Sequence, residues 1–229
     1  MQPHDFWQEI HPPGSFRTDT GHDRFFPATL PDGRQIRLPI RPLADGRQAL
    51  ASLIVNQASF RVLDAFAADL AGQLAAFRPD IVVGLPTLGL TLASEVARKL
   101  GQTRYVPLGT SRKFWYDETL SVEMSSITTP DQTKRLYADP RMLPLLEGRR
   151  VALVDDVISS GRSIRAGLSL LAGLGIRPVA IGAAMLQSDR WRDEGGGPCP
   201  GWTSVTRGCL ATPILTRGAN GLWHVPAPA

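Results

Sequence analysis

Residues 151–164, VALVDDVISSGRSI, contain the side chains best suited to chemistry in this 229-residue sequence. An apolar run from Val151 to Val154 leads into two adjacent acids, Asp155 and Asp156. A short β-branched run of this kind is typical of a buried parallel strand. Acids at the carboxyl end of such a strand lie at the rim of an open α/β sheet, where ligands bind. Two carboxylates at this rim are suited to binding sugar hydroxyls.

The turn after the acids is suited to phosphate. It contains Ser159, Ser160, Gly161 and Ser163, and helix-compatible sequence follows it. Backbone N–H groups and hydroxyls of such a turn can surround a phosphate, and the next helix adds its positive N-terminal end. The alternative is an ordinary strand–turn–helix connection with a solvated acid pair. That alternative does not require two acids, three serines and a glycine in this order, so we favour a phosphorylated-ribose site.

The stretch VALVDDVISSGRS resembles the signature of type I phosphoribosyltransferases over thirteen residues. The resemblance implies that Asp155 and Asp156 act at the ribose hydroxyls of 5-phosphoribosyl 1-diphosphate (PRPP). It also implies that a substrate-binding loop holds the 5′-phosphate, formed by Val157, Ile158, Ser159, Ser160, Gly161, Arg162 and Ser163. A match of this length is far more specific than a lone glycine-rich loop.

A second turn lies in VVGLPTLGLTLA, residues 82–93. In the resembled family the corresponding turn binds pyrophosphate through backbone N–H groups, often with an unusual cis peptide. The residues implied here are Pro86, Thr87, Leu88 and Gly89. Leu88 departs from the pattern, because many family members have a basic or polar residue before this glycine. The alternative is a plain strand–helix turn.

Residues 109–128 occupy the position of the family's flexible catalytic loop. Arg112 and Lys113 resemble the Arg-Lys pair that opens this loop in adenine- and xanthine-type members, which implies a catalytic role. A closing loop excludes water and brings cations to the pyrophosphate. The alternative is a surface loop, and for the aromatic residues 114–116 we favour this alternative, with packing either locally or at a dimer contact.

Base recognition in this family comes from a variable hood, expected here from residues 1–45 and the C-terminal tail. Candidate base contacts are Phe25, Phe26, Asn56, Gln57 and Trp191. Hypoxanthine-guanine members often carry an acidic general base where this chain has Ser159. A hydroxyl is not a useful base near neutral pH, so the sequence favours adenine-, xanthine- or orotate-type chemistry, and purine over pyrimidine.

The composition of the chain indicates which partners and which cellular location to expect. Net charge is +4, and 22 of the 25 basic residues are Arg, which suits anionic phosphate substrates. A dense basic block is missing from the sequence, so nucleic acid is not an expected partner. The sequence lacks a signal-peptide pattern and a long apolar run, so a membrane location is not expected either. Cys199 and Cys209 form no metal-ligand pattern; a disulfide between them is an open alternative, but we expect a reduced, cytoplasmic protein.

Alternating strand and helix patterns predict an α/β fold with a mostly parallel twisted sheet flanked by helices and a small N-terminal β hood. Residues 1–45 are the predicted hood with a β-hairpin, residues 46–192 the core, and residues 193–229 a C-terminal tail, for which a place in the hood is an open alternative. A long helical pattern covers residues 47–77. Further strands are expected at 81–85, 151–155 and 178–186, and in RYVPLG, SVEMSSI and LWHV. A helix is expected from about Arg162 to Ala172.

The resemblance implies a Mg²⁺-dependent phosphoribosyltransferase that joins a nucleobase to PRPP and releases pyrophosphate. Mg²⁺ would be held mainly through PRPP and not directly by the protein, and a homodimer is expected. Two alternatives remain: a non-catalytic regulatory protein of the same fold that senses PRPP or nucleotides, and a different transferase or hydrolase acting on a ribose phosphate.

Overall fold

The computed structural model describes residues 2–124, 134–193 and 197–226. Its centre is a five-stranded sheet in the order β10-β9-β8-β4-β5, with every neighbouring pair parallel. The strands are β4 (Ile81–Gly84), β5 (Val106–Pro107), β8 (Val151–Ile158), β9 (Ala180–Gln187) and β10 (Thr206–Thr212). Strands β4 and β8 are apolar along most of their length and almost wholly buried, as expected for a sheet covered on both faces.

Three helices cover the two faces of this sheet. Helices α1 (Phe60–Ala75) and α2 (Gly89–Lys99) share one apolar core with Val82, Ala152 and Val154. Helix α3 (Arg162–Gly173) packs on the opposite face in a second core. The predicted α/β fold with a mostly parallel sheet is confirmed.

The position of the site follows from the order of the strands. Strand β4 continues through α2 to β5 on one side, whereas β8 continues through α3 to β9 and β10 on the other. The chain therefore reverses direction between β4 and β8, and ligands of open α/β sheets bind at such a switch point. Pairing of β4 with β8 ends at Val154, while pairing of β9 with β8 continues to Ile158. A crevice thus opens beside the last residues of β8.

A second, antiparallel sheet has the order β1-β2-β3-β11-β12. Its strands are β1 (Phe25–Thr29), β2 (Gln35–Pro42), β3 (Gln48–Ala51), β11 (Ile214–Arg217) and β12 (Trp223–His224). Its apolar side chains belong to the same core as α1 and α2. Strands β1 and β2 form the N-terminal hairpin, and β11 pairs with β3. The C-terminal segment is therefore divided between the two sheets, since β10 lies in the parallel sheet.

The predicted helix over residues 47–77 is wrong in its first part. Residues Gln48–Ala51 form strand β3, because their backbone groups pair with β2 on one side and β11 on the other. A short 3-10 turn follows at Val55–Gln57, and α1 begins after Ser59. The Ser59 hydroxyl accepts a hydrogen bond from the Val62 backbone N–H at 3.3 Å and so caps the helix.

A small two-stranded unit lies between β5 and β8. Strands β6 (Ser121–Met124) and β7 (Lys134–Tyr137) pair in antiparallel fashion, and β6 packs against α3. Of the predicted loop 109–128, residues 125–128 lie outside the described residues, as does the end of the SVEMSSI strand. Strand β7 was missed by the sequence analysis, since its four residues, KRLY, are too few to show the alternating apolar pattern of a strand.

Both cysteines are buried as free thiols. Among the described parts of the chain, no helix is both long enough and apolar enough to cross a membrane.

Candidate functional site

A cavity of about 260 Å³ lies where β8 turns into α3. Its walls come mainly from the stretch identified in the sequence: Asp155, Val157, Ile158, Ser159, Ser160, Gly161, Arg162, Ser163 and Ile164. Met124 and Lys134 of the β6–β7 hairpin complete the lining. The structure therefore places the predicted phosphate loop and the first predicted acid around one cavity.

The two acids lie inside strand β8, which extends three residues beyond the predicted end at Asp155. Asp155 is 6% exposed and Asp156 is 8% exposed. The Oδ1 atom of Asp155 accepts a hydrogen bond from the Asp156 backbone N–H at 2.9 Å. Burial raises the pKa of Asp155 well above its usual range, and the neighbouring charge of Asp156 raises this pKa further. Burial also raises the pKa of Asp156.

This arrangement places two carboxyl groups side by side where water is nearly excluded. Because the two carboxyl groups disfavour each other's ionisation, the pair tends to share a proton. Hydrogen-bond donors such as sugar hydroxyls, or a nearby positive charge, would favour full ionisation. The pair is therefore suited to a ligand that brings hydroxyl groups and develops positive charge.

Gly89 brings the second predicted turn against this pair. A Cβ atom built on Gly89 would lie 2.7 Å from Asp155 Oδ1 and 2.8 Å from Asp155 Cα. These distances are shorter than carbon atoms tolerate, so only glycine permits this contact between α2 and β8. The peptide bond between Pro86 and Thr87 is cis, as the resemblance implies. Thr87 and Leu88 are exposed beside it.

Two helix N-termini border the acid pair. Helix α2 begins at Gly89, and α3 begins at Arg162 after Gly161, whose φ is +76°. The N-cap residues of these two helices, Leu88 and Gly161, have no polar side chain that could accept a hydrogen bond from the first turn. The first N–H groups of both helices are thus not capped by those side chains, and helix N-termini favour anions. The geometry suits two anionic groups on either side of a central hydroxyl-bearing group.

Lys134 is a lining residue that the sequence analysis missed. It lies at the start of β7, 21 residues before Asp155, and it is one of three lysines in the chain. The pairing of β7 with β6, and the packing of both strands against α3, bring it to the cavity. A single lysine in a polar stretch gives no local signal of this placement.

The structure does not bring Arg112 and Lys113 into this cavity. Arg112 pairs with Glu118 at 2.8 Å, and both side chains are more than half exposed. Lys113 is also exposed, and its backbone carbonyl accepts from the Tyr116 N–H. Next to them Trp115 packs locally under the Arg141 guanidinium at 4.3 Å, whereas Phe114 is 95% exposed.

Two of the candidate base contacts are buried. Trp191 is 2% exposed and packs against Trp202 with 5.8 Å between ring centroids, so its expected role as a base platform is wrong. Phe26 is 6% exposed and contacts His22 edge to face. Phe25 is half-buried, and Asn56 and Gln57 are exposed. The apolar character of an aromatic residue alone does not distinguish a base platform from a core residue.

A parallel sheet with a phosphate-type loop and an acid pair at its switch point defines the type I phosphoribosyltransferase fold. Comparison with known proteins agrees with this assignment. The family model for the phosphoribosyl transferase domain matches residues 51–196. The chain therefore belongs to the phosphoribosyltransferase family.

Proteins similar to this chain include adenine and orotate phosphoribosyltransferases. The chain is 35% identical over 156 residues to an adenine phosphoribosyltransferase of Acidovorax sp., covering 64% of this chain and 78% of that protein. It is 35% identical over 117 residues to an orotate phosphoribosyltransferase of Halorhodospira halophila, covering 50% of this chain and 46% of that protein. The structure of an APRTase from Giardia lamblia, complexed with 9-deazaadenine, superimposes with a TM-score of 0.58 at 18% identity, covering 76% of this chain and 93% of that chain. This structural likeness concerns the fold.

Proposed function

We propose that the protein transfers the 5-phosphoribosyl group of PRPP to a nitrogenous base, with a purine favoured, and releases pyrophosphate. The observation that carries the proposal is the cavity at the switch point, where the loop 157–163 meets the buried Asp155 carboxyl. Family membership and the names of the relatives support the same reaction.

In the proposed reaction each part of the site binds one part of PRPP. The N–H groups and hydroxyls of residues 159–163, with the N-terminus of α3, hold the 5′-phosphate. Asp155 and Asp156 accept hydrogen bonds from the ribose hydroxyls. The turn from Pro86 to Gly89 holds the pyrophosphate at the N-terminus of α2.

Bond exchange takes place at the anomeric carbon of the ribose. The C–O bond to pyrophosphate breaks while a C–N bond to the base forms, with inversion at that carbon, and the base nitrogen gives its proton to the released pyrophosphate or to solvent. Positive charge develops on the sugar between these events. The buried carboxylates of Asp155 and Asp156 stabilise this charge at short range, since little water screens them.

The donor set fits a magnesium ion held largely by the substrate. Asp155 and Asp156 supply hard oxygen atoms, and the described residues contain no group of three or more His, Cys, Asp or Glu side chains that could hold a metal by themselves. Magnesium commonly keeps several waters and binds through one or two carboxylates plus substrate phosphates. When bound, Mg²⁺ would neutralise the leaving pyrophosphate. We therefore propose dependence on Mg²⁺. From the family resemblance alone we also propose a homodimer.

The test is pyrophosphate release from PRPP with Mg²⁺, measured across adenine, xanthine, hypoxanthine, guanine, orotate and uracil. Release that requires one of these bases would support the transferase and identify its acceptor. Release without any base would instead indicate a hydrolase. Binding of PRPP with no release for any base would contradict catalysis.

The second candidate function is a PRPP-sensing regulatory protein of the same fold. Two departures from the pattern of the catalytic family members favour it. Leu88 replaces the usual polar residue of the pyrophosphate turn, and Arg112 is paired with Glu118 outside the cavity. A sensor needs the phosphate loop and the acid pair but not the cations of a catalytic loop. The base panel above distinguishes the two functions.

Lys134 provides a prediction within this proposal. Replacing it with Met removes a cation from the cavity wall while keeping an unbranched side chain. We expect the KM for PRPP to rise about three- to tenfold at low ionic strength, because the ammonium attracts a phosphate, and the effect to shrink at high salt.

The matched control is Lys99→Met, at the far end of α2, where Lys99 pairs with Asp64 at 2.6 Å. That variant should leave the KM for PRPP unchanged. Equal KM values for Lys134→Met and the wild type at low ionic strength would remove Lys134 from the site.

A further inference from the structure

Arg165 occupies a distinctive place behind the phosphate loop. It lies in the first turn of α3, four residues after Gly161, and its backbone N–H donates to the Gly161 carbonyl at 2.9 Å. Its guanidinium donates to the Ser160 carbonyl at 2.8 Å through Nη1. Through Nη2 it donates to the Asp193 carbonyl at 2.6 Å. One side chain therefore connects the loop to the segment that follows β9.

The guanidinium also fills the space beneath the loop. A Cβ atom on Gly161 would lie 2.5 Å from Arg165 Nη1, so the loop backbone and the guanidinium are in close contact. The guanidinium carbon also lies 5.9 Å from the centroid of the buried Trp202 ring. Arg165 is thus held between the loop and the core, and it is not among the described residues that line the cavity.

The direction of these hydrogen bonds matters for an anion. A loop binds phosphate when its N–H groups point inward and its carbonyl groups point elsewhere. The Ser160 carbonyl is engaged by Arg165, which fixes the orientation of the peptide plane between Ser160 and Gly161. The N–H of that plane belongs to Gly161, a residue that lines the cavity. A planar guanidinium holds its donors in a fixed geometry that suits two carbonyls at once, whereas a lysine ammonium is a compact charge on a flexible stem.

We propose that Arg165 is a positioning residue for binding of the 5′-phosphate. It acts through the loop and not through contact with the ligand, because it fixes the Ser160–Gly161 peptide and ties the loop to Asp193. The inference deepens the proposed function and rests on it, since it assigns the phosphate group to this loop.

The experiment is isothermal titration calorimetry with PRPP, ribose 5-phosphate and inorganic pyrophosphate as separate probes. The proteins are the wild type, Arg165→Met, Arg165→Lys and the control Arg98→Met, in which Arg98 is an exposed arginine in the last turn of α2. Melting temperatures establish that each variant is folded.

For Arg165→Met we expect the Kd of PRPP and of ribose 5-phosphate to rise by the same factor, about tenfold, through loss of the two hydrogen bonds that fix the loop. Arg165→Lys should show a smaller rise, and the Kd of pyrophosphate should stay unchanged. In turnover, the KM for PRPP should rise more than kcat falls, and the KM for the base should not change. General loosening of the fold would affect all three probes alike.

Should Arg165→Met not fold, Arg165→Lys takes its place, since lysine keeps the charge and the unbranched stem but lacks the fixed pair of donors. Affinities for both sugar phosphates equal to those of Arg98→Met would overturn the inference. A wild type that binds PRPP without transferring it to any base would contradict the proposed function, yet the Kd comparison would still decide the role of Arg165. A wild type that does not bind PRPP would overturn both.

Discussion

Replacing Asp155 and Asp156 together with asparagine should lower turnover by at least about a thousandfold while leaving the protein folded. The two amides keep the shape and much of the hydrogen bonding of the acids but lose the charge that stabilises an oxocarbenium-like sugar. Removal of one well-placed electrostatic group commonly costs two to three orders of magnitude in kcat, about 2.7–4 kcal/mol. The measurement is base-dependent pyrophosphate release by the double variant, and near-native turnover would contradict the assignment of the acids.

The same double variant should be more stable than the wild type at neutral pH. The folded-state pKa of Asp155 is raised above the unfolded value of 3.8 because the group is buried beside Asp156. The folded protein therefore binds more protons than the unfolded chain between pH 3.8 and the raised pKa, so the free energy of unfolding of the wild type falls as pH rises through this window.

With asparagine at both positions, the free energy of unfolding no longer falls as pH rises through this window, because asparagine does not ionise. We expect the free energy of unfolding to increase by about 1–3 kcal/mol at pH 7 and the gain to vanish below about pH 4. Urea denaturation at several pH values measures the difference between variant and wild type. Asp23→Asn is the control, since the Asp23 side chain is 79% exposed and its replacement should change stability little. A double variant less stable than the wild type at pH 7 would show that the charges are satisfied in the folded state.

Opposite effects on activity and stability would identify the acid pair as a functional feature. A buried carboxyl pair with raised pKa is costly to the fold, and such groups concentrate at functional sites. Structural ion pairs also perturb pKa values, but there the removal of charge destabilises the protein. The combination of lost turnover and gained stability therefore distinguishes the two explanations.

The sequence was most informative where local pattern and chemistry coincide. Residues 151–164 carry strand, acids, turn and helix start in one continuous stretch, and the structure has strand β8 and helix α3 in this order. The helix start at Arg162 could be predicted because Ser and Gly precede it. The end of β8 was predicted too early, since the acids suggested a strand end while β9 keeps pairing as far as Ile158.

Features that depend on distant pairing could not be read from the sequence. Gln48–Ala51 is strand only because β2 and β11 provide its hydrogen bonds, and β11 lies more than 160 residues later. Lys134 reaches the cavity because a hairpin folds back onto α3, and Arg165 lies behind the loop because its side chain turns towards Ser160. Each of these placements is set by the tertiary structure, which overrides local propensity.

The contact between Gly89 and Asp155 gives a second prediction with a large effect. In most helical positions a change from glycine to alanine is stabilising, because alanine has the higher helix propensity. At Gly89 the new methyl group would lie within 2.8 Å of Asp155 Cα, a backbone atom that does not move without shifting β8. We expect Gly89→Ala to lower the free energy of unfolding by about 1–3 kcal/mol, as overpacking does, and the melting temperature by about 2–12 °C.

Turnover should fall in the same variant, because the methyl group separates the two parts of the site. The α2 N-terminus and the Asp155 carboxylate would move apart by some tenths of an ångström, and misplacement on the scale of 1 Å costs about a hundredfold. We expect a tenfold to hundredfold loss in kcat/KM for PRPP, measured as base-dependent pyrophosphate release.

The matched control is Gly72→Ala in α1, where a Cβ atom meets nothing within 4 Å. Gly72→Ala should raise stability by up to about 1 kcal/mol and leave turnover unchanged. If Gly89→Ala behaved like Gly72→Ala in both measurements, the close approach of α2 to the acid pair would not be a requirement of the site.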